Sequence, residues 1–321
     1  MWRFGLTCWA VLLLCSVGFA SAIQGGASQH ASITRHLKRH PVVALTFDDL
    51  PAAGGLRSGE TRVDIATRLV RELKTHHLKG VYGFVTAVDL QGDPDTQQAL
   101  RVWMKAGMKI GNHTWSHPSL TEVDADEFIN NIALDEPALH EYSARKDWHW
   151  FRYPYLQEGN TLDKRNAVRF WLEAHGYRIA QVTLDFGDDD WGDPYLRCMG
   201  KQDEAGIAWL RQSYIANAKE LIRFGRVEED IAFGHEIPNV LLLHATDFTV
   251  LMLPDLMQML RREGFRFKSL SAVERNSIYG VDPGIALADG GPLPKQFLVL
   301  HHLESPQLTP EPVRQLDAVC R

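Results

Sequence analysis

Residues 42–51 read VVALTFDDLP. The run from Val42 to Phe47 is apolar or β-branched, which suits a buried strand, and two adjacent carboxylates, Asp48 and Asp49, stand where that strand emerges. Like charges side by side raise each other's pKa. A helix cap or a solvated turn accounts for such a pair, and so does a divalent cation, whose charge inverts the local electrostatics and keeps both groups ionised.

Outward from this stretch, strand-like and helix-like segments alternate. Strands are expected over 42–47, 81–85, 108–111, 149–152, 177–184, 240–243 and 265–270, with helices over 61–76, 96–106, 125–142, 161–175, 204–224 and 254–263. Gly107, Gly176 and Gly264 each stand between a helical pattern and an apolar run, where a left-handed residue ends a helix. Repeated βα units predict a mostly parallel sheet with helices outside, either open or closed as a barrel. No GxGxxG or GxxxxGK follows a strand, so a nucleotide-binding fold has no support.

The chain has 321 residues with 34 basic and 40 acidic side chains, a formal net charge of −6, and no basic stripe. That disfavours a nucleic-acid partner. Residues 1–22 combine Arg3, an apolar stretch and Ala20-Ser21-Ala22, the pattern of a cleaved signal peptide. An uncleaved anchor or a lipid-anchored Cys15 are the other readings. With cleavage the mature chain starts near Ile23, is periplasmic or extracellular, and has no stable membrane insertion. A lead over 23–40, a domain over 41–278 and an irregular Pro- and Gly-rich tail over 279–321 packed on it complete the organisation. Cys198 and Cys320 can pair in an oxidising compartment or remain thiols.

Four further polar clusters follow the later strands, at the edge where parallel α/β folds build their sites. His113 and His117 are four apart in GNHTWSHPSL, a spacing that suits either two metal-bound imidazoles or a surface turn. Arg152, in WFRYPYLQEG, is able to hold a carboxylate. The acidic run DFGDDDWGD contains Asp190 and Trp191, and NVLLLHATD contains Leu242 and His244. A histidine tuned by a carboxylate makes a general acid near neutral pH.

TFDDL at 46–50, HTWSH at 113–117, RYPY at 152–155, DDDW at 188–191 and LLH at 242–244 occur in this order. In this the chain resembles the polysaccharide deacetylase family, also called the NodB-homology domain or carbohydrate esterase family four. The resemblance implies a distorted (β/α) barrel of parallel strands. It also implies a metal-dependent hydrolase that removes N- or O-acetyl groups from a glycan such as peptidoglycan, a chitin-like chain or another surface polysaccharide. By position, Asp49, His113 and His117 match the ligands of a divalent metal, Zn2+ foremost, with Co2+, Mn2+ and Ni2+ open. Asp48 matches the general base, Arg152 the residue that orients it, His244 the general acid and Asp190 the carboxylate that tunes this acid. Tyr155 matches an oxyanion donor through its backbone N–H, and Trp191 and Leu242 match the walls of an acetyl pocket. Two departures stand out: Leu50-Pro51 replaces the family's Gly after the carboxylates, and the segment 192–239 is long. A small-molecule amidase or esterase of the same fold, or a catalytically silent glycan-binding protein, are the alternatives.

Overall fold

A computed structural model describes residues 40–143, 146–306 and 315–321; the expected signal peptide and nearly all of the lead lie outside the described residues. Its strands are β1 (Val42–Leu50), β2 (Tyr82–Val85), β3 (Lys109–Asn112), β4 (Trp150–Phe151), β5 (Arg178–Ile179), β6 (Leu184–Asp185), β7 (Asn239–His244) and β8 (Arg266–Phe267). The helices are α1 (Arg62–Thr75), α2 (Pro94–Lys105), α3 (Ala125–Tyr142), α4 (Leu162–Ala174), α5 (Gly192–Lys201), α6 (Glu204–Phe233), α7 (Asp247–Arg262), α8 (Leu270–Val273) and α9 (Leu293–Leu300). The sheet runs β5-β4-β3-β2-β1-β7-β6, with β8 added at the start of β1, and every pairing is parallel. All strands therefore end on one edge, and the sheet curls into the distorted barrel that the alternating pattern and the resemblance imply.

Side-chain alternation divides the two faces of β1. Val43, Leu45 and Phe47 pack into the large core shared with the helices. Ala44 faces the interior of the curl with Tyr82, Phe84, Trp150 and Val240. By the same period, Thr46 and Asp48 on β1, and Leu242 and His244 on β7, continue that interior face toward the strand ends.

The expected strand 177–184 is two short strands. Ala180 N–H donates to Phe151 O on the β4 side, and Thr183 N–H donates to Val240 O on the β7 side, so residues between them carry the chain across the mouth of the half-barrel. The helix expected over 204–224 runs on to Phe233, because Gly225 lets it pass close to Leu184; a Cβ there would lie 2.9 Å from Leu184 Cδ2. The tail is less irregular than its composition implies. It contains α9, whose Leu293, Phe297 and Leu298 are buried. Cys198 and Cys320 form a disulfide, which ties the C-terminal end to α5.

Gly111 on β3 is held by close approach. A Cβ there would meet Trp150 O at 2.6 Å and Phe84 Cε1 at 2.7 Å. Gly111→Ala is expected to destabilise the domain by about 1–3 kcal/mol through overpacking. A urea midpoint indistinguishable from the parent's would contradict this packing.

Candidate active site

The two carboxylates share a centre because β1 is bulged. Phe47 pairs with Gly83 but Leu50 pairs with Val85, so β1 carries one extra residue across this interval. Asp49 is left-handed, with φ 58°. Regular alternation would send consecutive side chains to opposite faces, and the bulge re-aims the second one. Leu50, in the place of the family's Gly, is buried and fills space that Gly83 leaves open: a Cβ on Gly83 would lie 1.9 Å from Leu50 Cδ1.

The two histidines follow β3. Thr114 and His117 have φ of 70° and 56°; Thr114 N–H donates to Asn112 Oδ1 at 2.8 Å and His117 N–H to Thr114 Oγ1 at 3.1 Å. This turn brings the two imidazoles to 4.8 Å between ring centres. Asp49 Oδ1 lies 3.5 Å from His113 Nε2 and 3.4 Å from His117 Nε2.

This trio suits a cation on grounds internal to the structure. His113 Nδ1 lies 2.8 Å from the Arg152 carbonyl, which only accepts, so the ring proton sits on Nδ1 and Nε2 presents a lone pair. Burial, reinforced by nearby His117, holds the His113 pKa at about 3 and keeps the ring neutral. Asp49 Oδ1 is buried and has no hydrogen-bond partner among the described residues. A lone pair facing an unpartnered carboxylate oxygen is repulsive unless a cation lies between them. One carboxylate and two imidazoles also form a three-ligand set of the kind that leaves further positions open on Zn2+.

Asp48 is buried beside the trio, and Arg152 Nη1 donates to its Oδ1 at 3.0 Å and to its Oδ2 at 3.1 Å. Burial pushes the Asp48 pKa up, and the Arg152 guanidinium opposes that shift. Arg152 is itself fixed on every side. Its Nε donates to Ala180 O at 2.7 Å, its Nη2 to Thr46 Oγ1 at 3.2 Å, and its guanidinium lies 4.5 Å from the Phe84 ring centre.

His244 stands across from Asp48 in the β1–β7 register. The carboxylate that holds it is Asp188, which corrects the expectation for Asp190. Asp188 Oδ1 lies 3.0 Å from His244 Nδ1, while Asp188 Oδ2 accepts from His244 N–H at 2.9 Å and from the Thr249 hydroxyl. Left-handed Gly187, with φ 60°, turns the chain so that Asp188 enters the interior at 0 % exposure and Asp190 faces outward. Burial works against charge on His244, but the Asp188 carboxylate and hydrogen bond, with Asp189 and Asp49, outweigh it and hold its pKa well above the ordinary histidine value.

Trp191 also departs from expectation. It has 0 % exposure, its Nε1 donates to Ser213 Oγ at 3.1 Å, and its ring packs on Tyr214, so it supports the Asp188 turn from behind instead of meeting a ligand. Tyr155 is left-handed, with φ 56°, and its ring, 60 % exposed, packs edge-on to His117 at 4.5 Å. Leu242 is 5 % exposed, one alternation before His244. Sequence reasoning missed Asp188, Thr46 and Thr249. Asp188 lay in the quoted acidic run, but spacing alone could not choose among its carboxylates.

Residues 36–180 match the family model described as polysaccharide deacetylase, a span that includes Asp48, Asp49, His113, His117 and Arg152 but ends before Asp188 and His244. The peptidoglycan-N-acetylglucosamine deacetylase of Bacillus cereus is 29% identical over 146 residues, which is 46% of this chain and 46% of that protein. This chain spans less than half the length of the curated relatives it matches. Among solved structures, the chitin deacetylase of Colletotrichum lindemuthianum superposes with TM-score 0.50 at 18% identity, covering 74% of this chain and 88% of that one. A pseudoenzyme of carbohydrate esterase family four from Bacillus anthracis does so with TM-score 0.50 at 16% identity, covering 73% of this chain and 66% of that one. These two likenesses show the fold, and residues 36–180, which carry Asp48, Asp49, His113, His117 and Arg152, are similar in sequence to the polysaccharide deacetylase family.

Proposed function

We propose that this protein is a metal-dependent hydrolase that removes acetyl groups from an acetylated polysaccharide outside the cytoplasm. The observation that carries this reading is the set of three fixed groupings around one centre: Asp49 with two imidazoles, Asp48 held by Arg152, and His244 held by Asp188. Asp49, His113 and His117 would hold the ion. When bound, a divalent cation, Zn2+ first among the candidates, supplies Lewis-acid polarisation of the acyl carbonyl and makes water a better nucleophile.

The chain's own groups divide the proton work. Asp48 Oδ takes the proton of the attacking water, and Arg152 aims that carboxylate and favours its ionised form against the opposing effect of burial. Charged His244 gives its Nε2 proton to the departing amine or alkoxide, while Asp188 on Nδ1 fixes the tautomer and stabilises the imidazolium. The backbone N–H of Tyr155 steadies the developing oxyanion, and Leu242 walls the acetyl methyl. The exposed Tyr155 ring beside His117 is a surface on which a sugar ring can stack.

Export is supported by the Cys198–Cys320 disulfide, since such bonds persist in oxidising compartments. Residues 1–22 then act as the signal peptide. No helix among the described residues is long and apolar enough to cross a membrane.

Acetate release from a panel of acetylated glycans by the metal-loaded protein tests the activity; none from any member, with metal bound, would leave a silent binding protein. The metal is tested separately. Zn2+ at about 100 times its Kd adds ~2.7 kcal/mol of stability, on the order of 5 °C in Tm for a domain of this size. His113→Ala is expected to abolish that rise, and a parent Tm indifferent to Zn2+ and to the other divalent candidates would end the metal reading.

A further inference from the structure

The loop carrying Tyr155 does not support itself. Tyr155 and Leu156 are consecutive residues with φ of 56° and 54°, a pairing that non-glycine residues avoid unless neighbours enforce it. Local hydrogen bonds, from Leu156 N–H to Tyr153 O at 3.1 Å and from Gln157 N–H to Pro154 O at 3.0 Å, close the turn but leave the outward-facing carbonyls to be met by something else.

That something is the C-terminal tail, beyond the residues the family model matches. Gly291 N–H donates to Leu156 O at 3.3 Å. Gly290 lies so close that a Cβ on it would sit 2.7 Å from Tyr155 O and 2.8 Å from Leu156 O, closer than any side chain is tolerated. Lys295 Nζ grips this turn through Gly290 O at 2.9 Å and Asp289 Oδ2 at 2.8 Å. The same tail reaches the loop's far side. Glu158, two residues past Leu156, accepts from Arg169 Nη1 at 2.7 Å, from Gln181 Nε2 at 2.9 Å and from tail residue Gln296 at 3.4 Å. Asp282 of the tail pairs with Arg165 and Arg169 beside it.

We infer that Gly290 is a positioning residue: the Gly290–Gly291 turn is a backstop that fixes the left-handed Tyr155–Leu156 pair, and through it the Tyr155 N–H and ring at the metal-binding centre. The tail is thereby a functional part of the site. This rests on the proposed function only for its kinetic consequence; the placement itself is read independently.

Gly284 supplies the control. It lies in the same tail with φ 63°, yet nothing stands within 4 Å of its would-be Cβ. Gly290→Ala and Gly284→Ala therefore impose the same backbone restriction, and only the first pushes on the loop. Residue-resolved hydrogen exchange on the full mature chain is expected to show Leu156 and Gln157 amides exchanging at least about tenfold faster in Gly290→Ala and unchanged in Gly284→Ala. On an acetylated glycan, kcat/KM should fall about ten- to a hundredfold in Gly290→Ala alone, the scale of a small misplacement at a reacting centre. Lys295→Met, which loosens the turn without adding atoms at Gly290, should shift exchange in the same direction and covers the case in which Gly290→Ala fails to fold. Equal exchange at Leu156 and Gln157 in all folded variants overturns the inference. Faster exchange in Gly290→Ala without any parental acetate release upholds the backstop and discards the catalytic reading instead.

Discussion

Asp48→Asn is expected to lower acetate release by about 10²–10⁴-fold, the usual worth of a positioned general base, while the bound metal stays near one ion per chain. The asymmetry follows from the contacts. Both Asp48 oxygens are taken by Arg152 Nη1, whereas Asp49 Oδ1 is unpartnered and stands at 3.5 Å and 3.4 Å from two imidazole nitrogens. The introduced amide would still offer Arg152 one oxygen but no charge. Because an uncompensated buried guanidinium costs about 3–5 kcal/mol, Tm must be measured alongside the rate to separate lost chemistry from lost fold. Loss of the metal in a folded Asp48→Asn variant would mean that Asp48 is a ligand and that the two carboxylates exchange roles.

His244→Gln is expected to slow turnover by about 10²–10⁴-fold at neutral pH, again with the metal retained. Asp188→Asn should act through the same histidine and reveal itself in the pH profile. The folded pKa of His244 is raised, chiefly by Asp188 against the opposing effect of burial, so its acid form persists as pH rises and is lost only well above the ordinary histidine value. The alkaline limb of kcat should therefore lie above about pH 6.5 in the parent and move down in Asp188→Asn. The stability term has the same sign: a raised histidine pKa contributes fully below the unfolded value and fades as pH rises through the folded one. Asp190→Asn, by contrast, should leave the limb in place. Equal displacement by both variants would restore Asp190 as the tuning group.

The sheet and the order of its helices were legible because a buried parallel strand and an amphipathic helix each impose a period, and Val42–Phe47 and Asn239–His244 are dense apolar runs. What failed was local and followed from long-range contacts. Tyr177–Leu184 looks like one strand, yet its two ends pair with strands on opposite sides of the half-barrel. The motif residues announce the chemical groups present but not which of several equivalent carboxylates faces inward. That choice was made by a left-handed Gly187 and by Thr249, neither of which carries a motif. Trp191 was placed as a pocket wall by its position in a motif, and such a position does not say whether an indole turns to a ligand or, as its 0 % exposure shows here, to the core.

The extra residue in β1 has a consequence for transplantation. Asp48 and Asp49 look like a portable dipeptide, but copied onto the end of a regular strand they would diverge to opposite faces, and only one would face the shared centre. What a protein engineer would have to move is the irregularity itself: the left-handed Asp49, the Leu50 side chain seated over Gly83, and the glycine beneath it. A recipient barrel with alanine at that underlying position would reject the graft before any metal was added.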